Sequence, residues 1–188
     1  MSQQYLFATN TLILGLVGCF LLYKNIVLPA VVCFIAAISY AYMLASTYIA
    51  FTQRDVNRAR YIDWAITTPI LLYIILSQTE LDHRIIYALM VSDFIMILLG
   101  YFATKSRKYA LVFFWLSCLF FVPIFYFLSR NLSNPLAVLT LIVWSLYPII
   151  WWQTHNYTIS TETSNLMIGI LDLIAKAGFS LIYLWGAT

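Results

Sequence analysis

The stretch Leu171-Asp172-Leu173-Ile174-Ala175-Lys176 places a lysine in the middle of the last apolar run of the chain, residues 166–185. A charged group at such a depth in lipid is costly, so an ionisable residue within a span is a candidate for function. The Lys176 amine is several residues from either end of the run and cannot easily extend to water. Asp172 precedes it by four residues, which puts both side chains on one helix face.

Two interpretations of this pair follow from the residues. An Asp–Lys pair that serves only the fold seldom repays the desolvation of its two charges. We therefore favour the second interpretation, in which the Lys176 amine is a nucleophile that forms a Schiff base with a carbonyl ligand.

Composition places the whole chain in a membrane. The 188 residues are 63% hydrophobic and 9% charged, whereas about a quarter of the residues of a soluble domain are charged. This excludes a soluble enzyme, a disordered protein and a nucleic-acid binder, and no enzymatic activity is expected. The net charge of +3 is too small to indicate a polyanionic partner. Cys19, Cys33 and Cys118 have no metal-ligand spacing, so no metal site is predicted.

Seven apolar runs follow one another along the chain. They cover residues 6–23, 26–51, 61–77, 85–102, 109–128, 135–152 and 166–185, with breaks that include 52–59 and 153–164. Each run is predicted to be a helix, because lipid offers no water to satisfy the backbone. The short connections make successive helices antiparallel neighbours. The predicted fold is an all-α integral membrane protein, a seven-transmembrane helix bundle that forms a single domain over residues 1–188.

The third run carries a second group of charged and polar residues. Arg60, Asp63 and Thr67 are spaced by three and four residues, which puts them on one face that points into the bundle. Pro69 can kink this helix, and neighbouring hydroxyls can satisfy the freed backbone groups. Two buried acids, Asp63 and Asp172, would balance two cations, Arg60 and a protonated Schiff base on Lys176.

The sixth run carries an aromatic face. Trp144, Tyr147 and Trp151 have the spacing i, i+3, i+7 and form one wall along the helix. Such a wall is often ordinary packing, but beside the lysine and the carboxylates it suits a flat apolar ligand.

Together these motifs resemble those of the microbial (type I) rhodopsins, seven-helix retinal proteins. The third run, Arg60-Tyr61-Ile62-Asp63-Trp64 to Thr67-Thr68-Pro69, is similar to the third-helix signature of that family. Trp144-x-x-Tyr147-Pro148-x-x-Trp151 resembles its sixth helix, and Leu171-Asp172 to Lys176 resembles its retinal-lysine segment. Asp93-Phe94-Ile95-Met96 with Gly100 resembles its fourth helix.

The resemblance implies a role for each matched residue. Lys176 would bind all-trans retinal as a protonated Schiff base, with Asp63 as primary counterion and proton acceptor and Asp172 as second counterion. Arg60 would gate the acceptor side. Hydrogen bonds would join Thr67 to Asp63, Thr68 to Asp93, and Tyr42 to the second counterion. The remaining residues implied to hold retinal are Tyr61, Trp64, Leu71, Met96, Gly100, Trp144, Tyr147 and Trp151.

The resemblance implies light-driven proton transport, from the Schiff base to Asp63. Many pumps of the family carry a carboxylate eleven residues after the acceptor, three turns or about 16 Å further along the helix. Here that residue is Ile74, which predicts a slow photocycle. Two alternatives stay open. One is a light-gated ion channel with a water path along Ser39, Ser46 and Thr47, and the other is a photosensor that signals through a separate partner.

The expected partners are membrane lipid and protons or small ions, with no nucleic acid. A homo-oligomer, trimer or pentamer, is common among the proteins that the chain resembles. The family places its N-terminus outside, although basic residues in the loops favour the opposite orientation. We keep the N-outside expectation.

Overall fold

A computed structural model describes residues 3–48 and 52–186. Its helices are α1 (Gln3–Tyr23), α2 (Val27–Ser46), α3 (Gln53–Leu76), α4 (His83–Lys105), α5 (Ala110–Ser129), α6 (Pro135–His155), α7 (Thr161–Leu173), a π-helical turn (Ile174–Gly178) and α8 (Phe179–Gly186). The last three form one continuous helix, so the structure contains seven helices long and apolar enough to cross a membrane. This confirms the predicted all-α, seven-span fold.

The spans form a closed ring. Each span packs against the next along the chain, and α7 also packs against α1. We call the side at which α1, α3, α5 and α7 begin the N-terminal side, and the opposite side the C-terminal side. A hydrogen bond between Gln53 and Asn165, at the starts of α3 and α7, lies on the N-terminal side. A second bond, from Asn134 before α6 to Gln78 after α3, lies on the C-terminal side.

The third helix is longer than predicted. The sequence predicts a break over residues 52–59, but α3 begins at Gln53, so that prediction is wrong. The backbone N–H of Thr52 donates to the Asp55 carboxylate at 3.2 Å, which caps the first turn. Apolar content alone does not predict that α3 extends over these first turns, because most of their residues are polar. As a result, α3 carries Gln53 and Asn57 on turns that precede its apolar part.

The last span contains an irregular turn around Lys176. In the segment Ile174–Gly178 the helix widens, and the N–H of Phe179 donates to the carbonyl of Ile174, five residues earlier. Such single π-turns within α-helices often occur at functional sites. Lys176 lies at the centre of this turn and is 1% exposed.

Apolar side chains close the C-terminal side of the bundle. The end of α3 contributes a buried set that packs against α4, α5, α6 and α8: Leu71, Leu72, Ile74, Ile75 and Leu76 against Ile86, Leu89, Leu128, Leu136 and Phe179. A second buried cluster joins α1 to α2. The interior on the C-terminal side is therefore dry and closely packed, whereas the N-terminal side contains the polar groups described next.

Candidate functional site

Lys176 and the two buried aspartates form one charged cluster. Lys176 Nζ donates to Asp63 Oδ2 in an ion pair between the π-turn and α3. Asp172 Oδ1 lies 3.9 Å from the same nitrogen. All three residues are about 1% exposed. The amine therefore contacts one carboxylate directly and has the second nearby.

Asp172 is held by three neutral donors from three helices. Tyr40 Oη donates to Asp172 Oδ2 at 2.6 Å. Trp64 Nε1 and Tyr147 Oη donate to Asp172 Oδ1 at 3.0 Å and 2.8 Å. Both carboxylate oxygens of Asp172 therefore accept hydrogen bonds from neutral side chains of neighbouring helices.

The tyrosine of α2 that holds Asp172 is Tyr40, whereas the resemblance pointed to Tyr42. The prediction for Tyr42 is wrong, because its side chain is 55% exposed on the outer surface of α2. Two residues along an α-helix turn a side chain by about 200°. Tyr40, at 0% exposure, shares the buried face of α2 with Cys33, Ala36 and Met43.

Two threonines of α3 bond to the two carboxyl groups expected from the sequence. Thr67 Oγ1 lies 3.2 Å from Asp63 Oδ1 and also donates to the Asp63 carbonyl at 2.8 Å. Thr68 Oγ1 donates to Asp93 Oδ2 of α4 at 2.7 Å and bonds the Trp64 carbonyl. Each hydroxyl thus bonds the carbonyl four residues earlier in its own helix, and these two carbonyls adjoin that of Ala65, which lacks a donor because residue 69 is proline.

Arg60 is buried but does not pair with either aspartate. Its Nη1 donates to Asn165 Oδ1 at 3.1 Å, and its guanidinium carbon lies 6.0 Å from the Trp64 ring. Asn165 exchanges hydrogen bonds with the Gln53 amide, at 3.0 Å and 3.3 Å. Gln53 also donates to Asn57. A chain of carboxamides thus joins the starts of α3 and α7 around the guanidinium.

A cavity of about 630 Å³ extends from Lys176 to the N-terminal side. Near Lys176 its walls are mostly aromatic and aliphatic, and Phe114 stacks on Trp151 at 4.5 Å between ring centroids. The predicted residues that line it are Arg60, Tyr61, Trp64, Thr68, Leu71, Met96, Gly100, Trp144, Tyr147, Trp151, Asp172 and Lys176. Asp63 and Thr67 lie beside the amine, Asp93 lies behind Thr68, and Tyr42 lies outside the cluster.

Several residues of the site escaped the sequence analysis. The lining also contains Gln53, Phe114, Ser117, Phe121, Asn165 and Ala175. For Tyr40 a signal existed, since it continues the buried spacing of Cys33 and Ala36. For Gln53 and Asn165 the sequence gives no such signal, because polar residues are common near the ends of spans and their type does not indicate which residue they bond.

The geometry supports proton exchange between an amine and an acid. A proton shared between Lys176 Nζ and Asp63 Oδ2 needs no large movement of either side chain. The surrounding pocket has room for an apolar ligand attached to the same nitrogen. The cluster therefore combines a covalent attachment point with an adjacent proton acceptor.

Comparisons with known proteins point the same way. Residues 5–188 match the family model described as "Bacteriorhodopsin-like protein". The chain is 31% identical over 191 residues to Bacteriorhodopsin-I of Haloarcula marismortui, covering 86% of this chain and 75% of that protein. It is 29% identical to Sensory rhodopsin-2 of Natronomonas pharaonis, covering 80% and 70%. The proton pumping rhodopsin AR2 of Acetabularia acetabulum superposes with a TM-score of 0.84 at 25% identity, covering 98% and 92%.

Proposed function

This chain belongs to the family of bacteriorhodopsin-like proteins, and on that premise we propose that it is a light-driven proton transporter that binds all-trans retinal on Lys176. It is a multi-pass integral membrane protein, and proteins of its family bind retinal through a lysine. The observation that carries the proposal is the ion pair between Lys176 Nζ and Asp63 Oδ2 beside an apolar cavity.

The residues around Lys176 fit a long, flat, apolar ligand. The amine lines a cavity of about 630 Å³, within the range of typical ligand pockets. Trp64, Trp144 and Trp151 line the same cavity, as does Leu71. Retinal joined to the Lys176 nitrogen supplies light absorption and a change of shape at that nitrogen. The protein supplies the walls, the charges and the route for the proton.

Asp63 is the better proton acceptor of the two aspartates. Asp172 accepts hydrogen bonds from three neutral donors, whereas among the described residues Asp63 has Thr67 as its neutral side-chain donor. When the proton leaves the Lys176 nitrogen, Asp63 loses the ammonium that stabilised its charge. Proton transfer to Asp63 therefore neutralises both members of the ion pair and leaves the three hydrogen bonds of Asp172 in place.

The two sides of the bundle differ in access to water, which supports release on the N-terminal side. The cavity passes Arg60 and reaches Asn57, near the start of α3, and Arg107, in the connection between α4 and α5. A proton on Asp63 has polar groups in that direction. On the opposite side it would face the buried apolar cluster around Ile74 and Ile75. With the N-terminus outside, this arrangement exports protons.

Return of a proton to Lys176 is the slow step of the proposed cycle. Ile74 is 3% exposed and stands where many pumps of the family carry a carboxylate. The proton must then come from the medium on the C-terminal side and cross the apolar cluster. We expect the recovery after a flash to slow as the pH on that side rises. Millisecond recovery that does not change with pH would contradict this expectation.

A photosensor is the second candidate, since a slow return prolongs the light-activated form. One relative is named as a sensory rhodopsin. The channel alternative has less support. Ser46 and Thr47 bond back to carbonyls of their own helix, and Ser39 bonds the Ala59 carbonyl. These hydroxyls are taken by the backbone and do not favour a continuous water path.

A pH recording tests the proposal. Cells that express the chain with all-trans retinal are illuminated in unbuffered medium, with and without a protonophore. Acidification that the protonophore abolishes is expected for the wild type, and Asp63→Asn should remove it. A coloured protein with no pH change would favour the sensor. Alkalinisation would indicate reversed insertion or passive flow, which voltage clamp distinguishes.

The predicted single domain and the trimeric or pentameric assembly remain predictions. The size of the purified protein in a mild detergent, measured by light scattering, tests the assembly. Transport by the proposed route requires only one bundle, because every residue of the charged cluster comes from the same chain.

A further inference from the structure

The guanidinium of Arg60 has one free edge. The side chain is buried, and Nη1 is occupied by Asn165. Within residues 3–48 and 52–186, Nε and Nη2 have no hydrogen-bond partner. These two nitrogens lie on the same edge of the planar group and form the fork that binds anions in a bidentate manner. A buried fork of charged donors without an acceptor is costly.

The cavity around this fork contains donors and positive charge. We call its N-terminal part the vestibule, which is lined by Gln53, Asn57, Arg60, Arg107, Thr161 and Asn165, among others. Among the described residues, Asp172 is the one acid that lines the cavity, and three donors occupy its oxygens. Asp55 is half-buried, Glu162 is exposed, and both lie outside the lining. The vestibule therefore offers the fork no carboxylate.

The charges around the vestibule favour a small anion. The protonated Lys176 nitrogen and its two aspartates carry one net negative charge, which Arg60 balances. Arg107, which is exposed, adds positive charge at the outer end of the vestibule. A small monovalent anion on the free edge of Arg60 therefore meets positive charge and no carboxylate.

We propose that the vestibule binds one small monovalent anion, such as chloride or nitrate, on the Nε and Nη2 edge of Arg60. Asn165 is a positioning residue. Its amide is fixed by Gln53 and occupies Nη1, which holds the other edge free. The anion is a bound ligand of the resting protein and is not transported, because Asp63 already occupies the place beside the amine. This inference goes beyond proton transport and does not depend on it.

Anion titration of the purified chain in detergent tests the site. Sodium chloride or sodium nitrate replaces sodium gluconate at constant ionic strength and pH. The readouts are the unfolding temperature of the retinal-free chain and the absorption maximum of the retinal-loaded chain. We expect both to change with a saturable dependence on the anion. Absence of any anion dependence in the wild type would overturn the proposal. It would indicate that water accepts the hydrogen bonds of Arg60 Nε and Nη2.

Three variants separate the site from a general salt effect. Arg60→Gln should lose the anion dependence. Asn165→Asp keeps the shape of the side chain but places a carboxylate next to Arg60, so it should also lose the anion dependence. This variant keeps the proposal testable if Arg60→Gln does not fold. Arg84→Gln removes an exposed arginine on the C-terminal side and should titrate like the wild type. An unchanged titration in Asn165→Asp would refute the site. Because neither readout follows proton movement, failure of transport leaves this test intact.

Discussion

Replacing Tyr40 with phenylalanine tests the hydrogen bonds that hold Asp172. The Tyr40 hydroxyl donates to Asp172 Oδ2 at 2.6 Å and is the side-chain donor to that oxygen among the described residues. Tyr40→Phe keeps the ring and removes this donor, so a buried carboxylate oxygen is left unpaired. A hydrogen bond to a charged group contributes about 1.5–3 kcal/mol. For a chain of this size, that loss lowers the unfolding temperature by about 3–12 °C.

The assay is loss of the visible absorption band during heating at one fixed rate, in the chain loaded with retinal. Tyr42→Phe is the matched control, because Tyr42 lies on the same helix but is 55% exposed. Surface substitutions of this kind stay within about 0.5 kcal/mol. Equal losses in the two variants, or a Tyr40→Phe protein as stable as wild type, would refute the assignment of Tyr40 to Asp172.

Other substitutions test the amine, the acceptor and the return path. Lys176→Ala should abolish the visible absorption band. Lys24→Ala, which changes an exposed lysine, should keep the band. A visible band in the Lys176→Ala protein would disprove attachment of retinal to Lys176. Asp63→Asn should shift the band to longer wavelength, because it removes a charge that stabilises the positive nitrogen; an unshifted absorption spectrum would argue against a counterion role. Ile74→Glu places an acid three turns beyond Asp63 and should accelerate recovery after a flash by about 10²-fold, with less dependence on bulk pH. Flash photolysis measures that rate, and an unchanged recovery would show that proton supply is not limiting.

The features that could be predicted are those for which burial in lipid has a large free-energy cost. Seven apolar runs predict seven helices, because a backbone in lipid has no other way to satisfy its hydrogen bonds. Lys176, Asp63 and Asp172 were candidates because charged residues are rare in such runs. Hydropathy stops being informative where a helix leaves the lipid, so it predicts a loop where the first turns of α3 lie.

The features that could not be predicted depend on packing between distant parts of the chain. Tyr40 and Tyr42 are chemically identical, and only the face of α2 that meets α7 distinguishes them. The π-turn has no marker, since Ile174-Ala175-Lys176-Ala177-Gly178 is equally compatible with a regular helix. The bond from Arg60 to Asn165 joins residues that are 105 positions apart, and neither residue type indicates the other.

The apolar packing on the C-terminal side has an electrical consequence. A transmembrane voltage falls mainly across the dry part of a protein, and here that part lies between the C-terminal surface and Lys176. The polar vestibule places Asp63 electrically close to the opposite bulk solution. In the proposed cycle, the return of a proton to Lys176 would cross most of the field, at about 2.3 kcal/mol per 100 mV. The rate of that step would then depend on the membrane voltage.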